Sequence, residues 1–134
     1  MSGKQNIQTV KHAYEAFGRG DVGAILDLVT DDVDWGSEAS AKDAPWWGVR
    51  TGKQQVGAFF EDLAKTMEVE EFTPLAFSAT DDGDVLTVVK YSARSRETGK
   101  AATMNIHHWW KFTDGKISFY RGSEDTEATA AALK

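Results

Sequence analysis

Apolar residues recur every three or four positions near the start of the chain, at Ile7, Val10, Tyr14 and Phe17. That spacing predicts a helix, and Gly18-Arg19-Gly20 is a stop signal. Asp21 is placed to cap a second, shorter helix whose apolar side is Val22, Ile25, Leu28 and Val29. VDWGSE, residues 33–38, reads as a short strand. ASAKDAPWWGVRTG follows, and its Pro and Gly content predicts a loop. Thr51 with Gln54 resembles a capping box. It opens a third helix with Val56, Phe59, Phe60, Leu63 and Met67 along one side.

Beyond residue 68 the pattern changes to strands. Residues 69–79 form the first of these, and Pro74 marks it as an edge or a bulged strand. Residues 85–96, 100–112 and 116–125 supply three more. They are separated by DDGD, by ETG and by Asp114-Gly115, the last a strong hairpin signal. The Ala-rich TEATAAALK predicts a turn or two of terminal helix. Helices followed by an antiparallel meander imply an α+β fold with helices on one sheet face.

A length of 134 residues fits one domain spanning 1–134. The chain has no cysteine, which excludes disulfides and thiolate chemistry. Its net charge of -6 disfavours nucleic-acid partners and gives no attraction to anionic membrane surfaces. No apolar run approaches the roughly 18 residues of a membrane span, and MSGKQN is polar rather than signal-like. Cytoplasm is the expected location.

The densest cluster of chemistry is NIHHWWKFTDGKISFY, residues 105–120. A two-residue Asp114-Gly115 turn sets Phe112 opposite Ile117, Trp110 opposite Phe119 and His108 opposite Arg121. One face then carries Met104, Ile106, His108, Trp110, Phe112, Ile117, Phe119, Arg121, Ser123 and Asp125. It is the more apolar face and is expected inward. A bulge near the turn would shift this pairing by one residue. The adjacent histidines cannot both point inward on a regular strand, so no His-His metal pair is expected.

Apolar walls with a few convergent polar groups are how small-molecule sites are built. His108 is the candidate acid/base, since an imidazole titrating near neutrality is a natural proton shuttle. The bland reading is a core histidine satisfied by a backbone carbonyl. Arg121 is either a ligand clamp or an ion-pair partner of Glu124 or Asp125. Asp125 is either catalytic or a cap on the tail helix. Tyr14, Trp35, Phe59, Trp110 and Phe119 are candidate walls, with core packing as the alternative for Tyr14, Trp35 and Trp110. Trp46 and Trp47 follow Pro45 in a loop, where core demand explains them less well. The pair is expected at the pocket mouth or in a dimer contact, with Trp47 taken as a ligand contact. His12 is expected in solvent.

GDVGAILDLVTDDVDW, then GVRTGKQQVGAFF, then HHWWKFTDGKISFY with its trailing Asp, resemble the SnoaL-like polyketide cyclase family. That family lies within the ketosteroid isomerase and nuclear transport factor two superfamily. The resemblance covers nearly the whole chain. It implies a cone-shaped α+β barrel in which a strongly curved, mostly antiparallel sheet wraps the N-terminal helices. It also implies a deep apolar pocket and, commonly, a homodimer. Members include enzymes, binding proteins and scaffolds, so the fold alone does not set function.

Ketosteroid isomerase carries its proton-shuttling Asp beside a Pro, which draws attention to Asp43; Glu38 at the first strand's end is a second carboxylate to weigh. The epoxide-hydrolase branch has a catalytic acid where this chain has Gly122, and a glycine cannot transfer a proton. Three functions stay open. One is a cofactor-independent isomerase, cyclase or hydrolase acting on a small apolar carbonyl or polycyclic compound. The second is a non-catalytic binder of an apolar small molecule. The third is an interaction module with His107, Trp109 and Tyr120 on an outer face buried in a homodimer.

Overall fold

The computed structural model describes residues 2–134. Among these, helix α1 spans Gly3–Gly18 and begins with a full capping box between Ser2 and Gln5. Helix α2 is Val22–Leu26, capped by the Asp21 side chain as expected. It is shorter than the apolar spacing suggested, because Val29 already opens strand β1, Val29–Ser37. Within the segment expected as loop, Gly48–Thr51 forms a short strand β2 that pairs with β1. Helix α3, Lys53–Thr66, starts at Gly52 without a side-chain cap. Instead of a Thr51–Gln54 box, the Gln55 side chain accepts from the Thr51 N–H.

Strands β3 (Met67–Ala79), β4 (Val85–Ser95), β5 (Ala101–Thr113) and β6 (Lys116–Ser123) make the meander, and helix α4, Thr126–Leu133, closes it. The sheet order is β2-β1-β6-β5-β4-β3, antiparallel except where β1 runs parallel to β6. The sheet is curled and open, with β2 and β3 at its edges. Pro74 lies on the edge strand β3, beside a register shift between Pro74 and Ala76. Both roles expected of it are met.

Helices α1 and α3 pack into the concave side through Val10, Ala13, Tyr14, Val56, Phe59, Phe60 and Leu63, all buried. Asn6 ties α1 to the β3–β4 turn by donating to the Gly83 carbonyl at 2.9 Å. The order of elements therefore follows from amphipathic helices seeking the apolar face of a curved sheet.

The last hairpin carries the main correction. Asp114 and Gly115 both have positive φ, 50° and 79°, so the two-residue turn forms and Phe112 faces Ile117. One step later β6 bulges. Ser118 has no partner, and Lys111 pairs with Phe119, Trp110 with Tyr120 and His108 with Gly122. Beyond the bulge every β6 side chain changes face. Tyr120 and Gly122 turn inward; Phe119 and Arg121 turn outward. The assignment of β5 is unchanged, with Ile106, His108 and Trp110 buried.

Candidate functional site

The concave side holds a partly open cavity of about 100 Å³ between α1, α3 and the sheet. Its walls are mostly aromatic, and Tyr120 stands at their centre. The Tyr120 ring lies 4.3 Å from Trp35, 4.6 Å from Trp110 and 5.1 Å from His108, centroid to centroid. Phe59 and Phe60 close the α3 side, and Trp35 packs edge-on against both.

One polar chain crosses this wall. The Tyr14 hydroxyl lies 2.6 Å from His108 Nδ1 and 2.6 Å from Thr87 Oγ1. It can donate to one and accept from the other, so a neutral imidazole is accommodated in either tautomer. Burial holds the His108 pKa down to about 3, with the neighbouring His107 adding to the effect. The imidazole is thus uncharged at neutral pH. It serves as a hydrogen-bonding group and does not titrate in the range expected of a proton shuttle. Burial likewise pushes the Tyr14, Tyr91 and Tyr120 hydroxyls above the ordinary tyrosine range, keeping them protonated.

At the other end of the cavity, Glu124 receives donors from two segments. Trp47 Nε1 donates to its Oε1 at 2.9 Å, Trp46 Nε1 to the same oxygen at 3.5 Å, and Thr129 Oγ1 on α4 to its Oε2. Trp46 and Glu124 line the cavity, while Trp47 is buried behind them. A carboxylate accepting several hydrogen bonds is a stable anchor for a loop without regular structure.

Of the expected site residues, the fold brings His108, Tyr14, Trp35, Phe59 and Trp110 around one cavity. Four others lie elsewhere. Phe119 packs on Trp109 outside the sheet. Arg121, on the same face, is held by Asp34 at 3.0 Å and Glu38 at 2.6 Å. Asp125 is exposed and caps α4 through the Ala128 N–H. Trp47 sits behind Trp46 and Glu124 rather than on the cavity wall. The Ser118 bulge displaces Phe119 and Arg121, and helix capping engages Asp125. Asp43 is an exposed loop charge 3.5 Å from Lys134. Among the described residues, no three His, Asp or Glu side chains cluster as metal ligands.

Tyr120, Glu124, Tyr91 and Phe72 line the cavity without having been expected there, and Trp46, expected at its mouth, is on its wall. A charge argument could have found Tyr120, whereas Glu124 is a charge on the inward parity and is held there by the Trp46, Trp47 and Thr129 donors. Placing Phe119 inward also places Arg121 inward, which buries a guanidinium. The alternate parity buries Tyr120 and Gly122 at less electrostatic cost.

Gly122 has a steric reason to be glycine. A Cβ there would overlap the Tyr120 hydroxyl and come within 3.0 Å of its Cζ and 3.5 Å of His108 Cδ2. The hydroxyl therefore occupies the space that a side chain on residue 122 would need.

A model of the SnoaL-like domain family matches residues 10–120. No curated protein matches the chain. Among solved structures, an NTF2-like protein of unknown function from Burkholderia pseudomallei K96243 superposes with a TM-score of 0.89 at 24% identity, covering 100% of this chain and 99% of that one. An NTF2-like protein from Burkholderia xenovorans LB400 gives 0.87 at 25% identity, with the same coverage. TerC, co-crystallised with polyporic acid, gives 0.85 at 22% identity over 96% of this chain and 98% of that one.

Two predictions follow from this geometry. Gly122→Ala should destabilise the protein by about 1–3 kcal/mol through overpacking, measured by urea unfolding. Adding Tyr120→Phe should recover part of that loss, a coupling a double-mutant cycle detects. The second concerns pH. The His108 pKa is about 3 in the folded state and about 6.5 unfolded, so its contribution is complete above about 6.5 and is lost as pH falls toward 3. The slope in that window is up to about 1.4 kcal/mol per pH unit. His108→Asn should flatten the stability profile between pH 6.5 and 4.5 relative to wild type; parallel profiles would contradict the assignment.

Proposed function

The chain belongs to the SnoaL-like family, and from that premise we propose that its aromatic cavity holds a small apolar molecule, with the neutral Tyr14–His108 pair as the polar contact. The observation that supports this best is the buried Tyr14–His108–Thr87 chain set into an apolar wall. A buried imidazole lowers stability in acid, a cost that an apolar side chain in a purely structural core avoids. A neutral imidazole can hydrogen-bond a ligand oxygen and polarise a carbonyl without first losing a proton. The same site thus supports cofactor-independent isomerase, cyclase or hydrolase chemistry, or binding alone.

The measurement is thermal unfolding against a panel of neutral apolar molecules of one to three rings. At least one member should raise the melting temperature saturably. Tyr14→Phe should weaken that ligand about three- to tenfold. Mass spectrometry of the recovered ligand separates the two versions, since a chemical change means catalysis and an unchanged ligand means binding. A panel without any saturable shift would remove the reading.

The outer sheet face supports a homodimer as the assembled form. Leu86 and Trp109 pair across β4 and β5 and are 45% and 41% exposed. Phe119 and Lys111 extend the patch beside Trp109. Adjacent apolar side chains of this size are a contact surface. Light scattering should give twice the monomer mass, and Trp109→Asp should shift it to monomer without unfolding the chain.

A further inference from the structure

The sheet wall of the cavity carries polar atoms that the protein itself leaves free. Tyr14 occupies Nδ1 of His108, and Nε2 of the same ring has no partner among the described residues. The hydroxyls of Tyr91 and Tyr120 have none either, although the three side chains are only 8–9% exposed. Unlike the Trp35 and Trp110 indole nitrogens, which are sealed in the packing, these three atoms remain within reach of the cavity that their residues line. They come from the neighbouring strands β4, β5 and β6. The Tyr120 hydroxyl hangs over Gly122, next to His108.

Glu124 completes the set. It lines the same cavity, and its charge acts on both free hydroxyls. Burial comes first in raising the pKa of Tyr91 and Tyr120, and Glu124 adds to it at each, after Tyr14 in the case of Tyr120. A carboxylate offers about four acceptor positions. Trp46, Trp47 and Thr129 occupy three of them. The remaining position can only accept, whereas a tyrosine hydroxyl can donate or accept.

This combination favours an occupant that gives and takes a hydrogen bond at one atom. A hydroxyl can accept from a tyrosine and donate to Glu124. A carbonyl or ether oxygen at the same place would set its lone pairs against the carboxylate. An anion would meet Glu124 with no Lys or Arg on the wall to offset it, and a cation would have to shed its water. Size sets how much of the ligand is held. At about 100 Å³, the space is below the roughly 150 Å³ that takes up benzene. It encloses one end of a molecule, and the remainder of a larger one passes out through the opening.

We propose that this cavity selects a neutral molecule by a hydroxyl at its enclosed end, which accepts from Tyr91 or Tyr120 and donates to Glu124. The inference rests on the binding function proposed above and specifies its ligand class.

An isomer pair tests it without a change of size. 1-Butanol and diethyl ether share one composition, and only the alcohol can donate. n-Butylammonium supplies a cation of similar length. Each is titrated into the wild-type protein, with binding read from the indole and imidazole signals by NMR. 1-Butanol should bind saturably and at least about tenfold more tightly than either of the others. Tyr91→Phe and Tyr120→Phe each remove one hydroxyl and keep the ring. Each should lower the preference for 1-butanol over diethyl ether at least about threefold. Diethyl ether binding as tightly as 1-butanol, or a preference unchanged in both variants, would overturn the hydroxyl selectivity while leaving the binding function standing. Tighter binding of n-butylammonium would make Glu124 a cation site and overturn it likewise. If none of the three binds, while a neutral molecule of the thermal-unfolding panel stabilises the protein saturably, the ligand class alone is overturned. If no molecule of that panel binds either, both fall together.

Discussion

Skipping Ser118 in the β5–β6 ladder decides what the interior of this protein is made of. Two residues after a regular turn, one unpaired position rotates the rest of β6 by half a pleat. Tyr120 enters between Trp35 and Trp110, Gly122 yields it the necessary space, and Glu124 comes within reach of the Trp46-Trp47 segment. Arg121 is carried to the outside, where Asp34 and Glu38 hold it. Each of these contacts requires the others' parity, so the bulge acts as one switch for the whole site.

The resulting interior is polar in atoms but carries little charge. Tyrosines, tryptophans and an imidazole kept neutral by burial surround a cavity with a single carboxylate on its wall. Neutral donors survive burial at modest cost, whereas buried charge demands a partner. Recognition in such a site depends on shape and on single hydrogen bonds, and specificity comes from leaving a wrong ligand's partner groups unpaired.

Much of the fold was legible in the letters. Helical spacing at Ile7, Val10, Tyr14 and Phe17, Asp21 as a cap, Pro74 at an edge and Asp114-Gly115 at a hairpin are local signals, and local physics determines them. In β5 Met104, Ile106, Trp110 and Phe112 make the even-numbered face more apolar than Asn105, His107 and Lys111 make the odd one, despite Trp109, and His108 and Trp110 are buried as that balance implies. Phe119-Tyr120 offers two adjacent aromatics, either of which suits a core, and nothing local announces the bulge between them and the turn. Strand β2 is four residues long and lacks alternation, so only pairing with β1 reveals it. Glu124 gains its role from Trp46, Trp47 and Thr129, partners that sequence distance conceals. Arg121 was the one available hint, because a guanidinium is costly inside an apolar wall.

Glu124 also joins parts of the molecule that share no backbone hydrogen bonds of their own. The segment before β2 and the C-terminal helix meet at its two oxygens, and Lys134 and Asp43 approach each other nearby. Substitutions in these segments will therefore have non-additive effects, since each alters the foothold of the other. The last helix is thus tied to the tryptophans at the cavity through a single carboxylate.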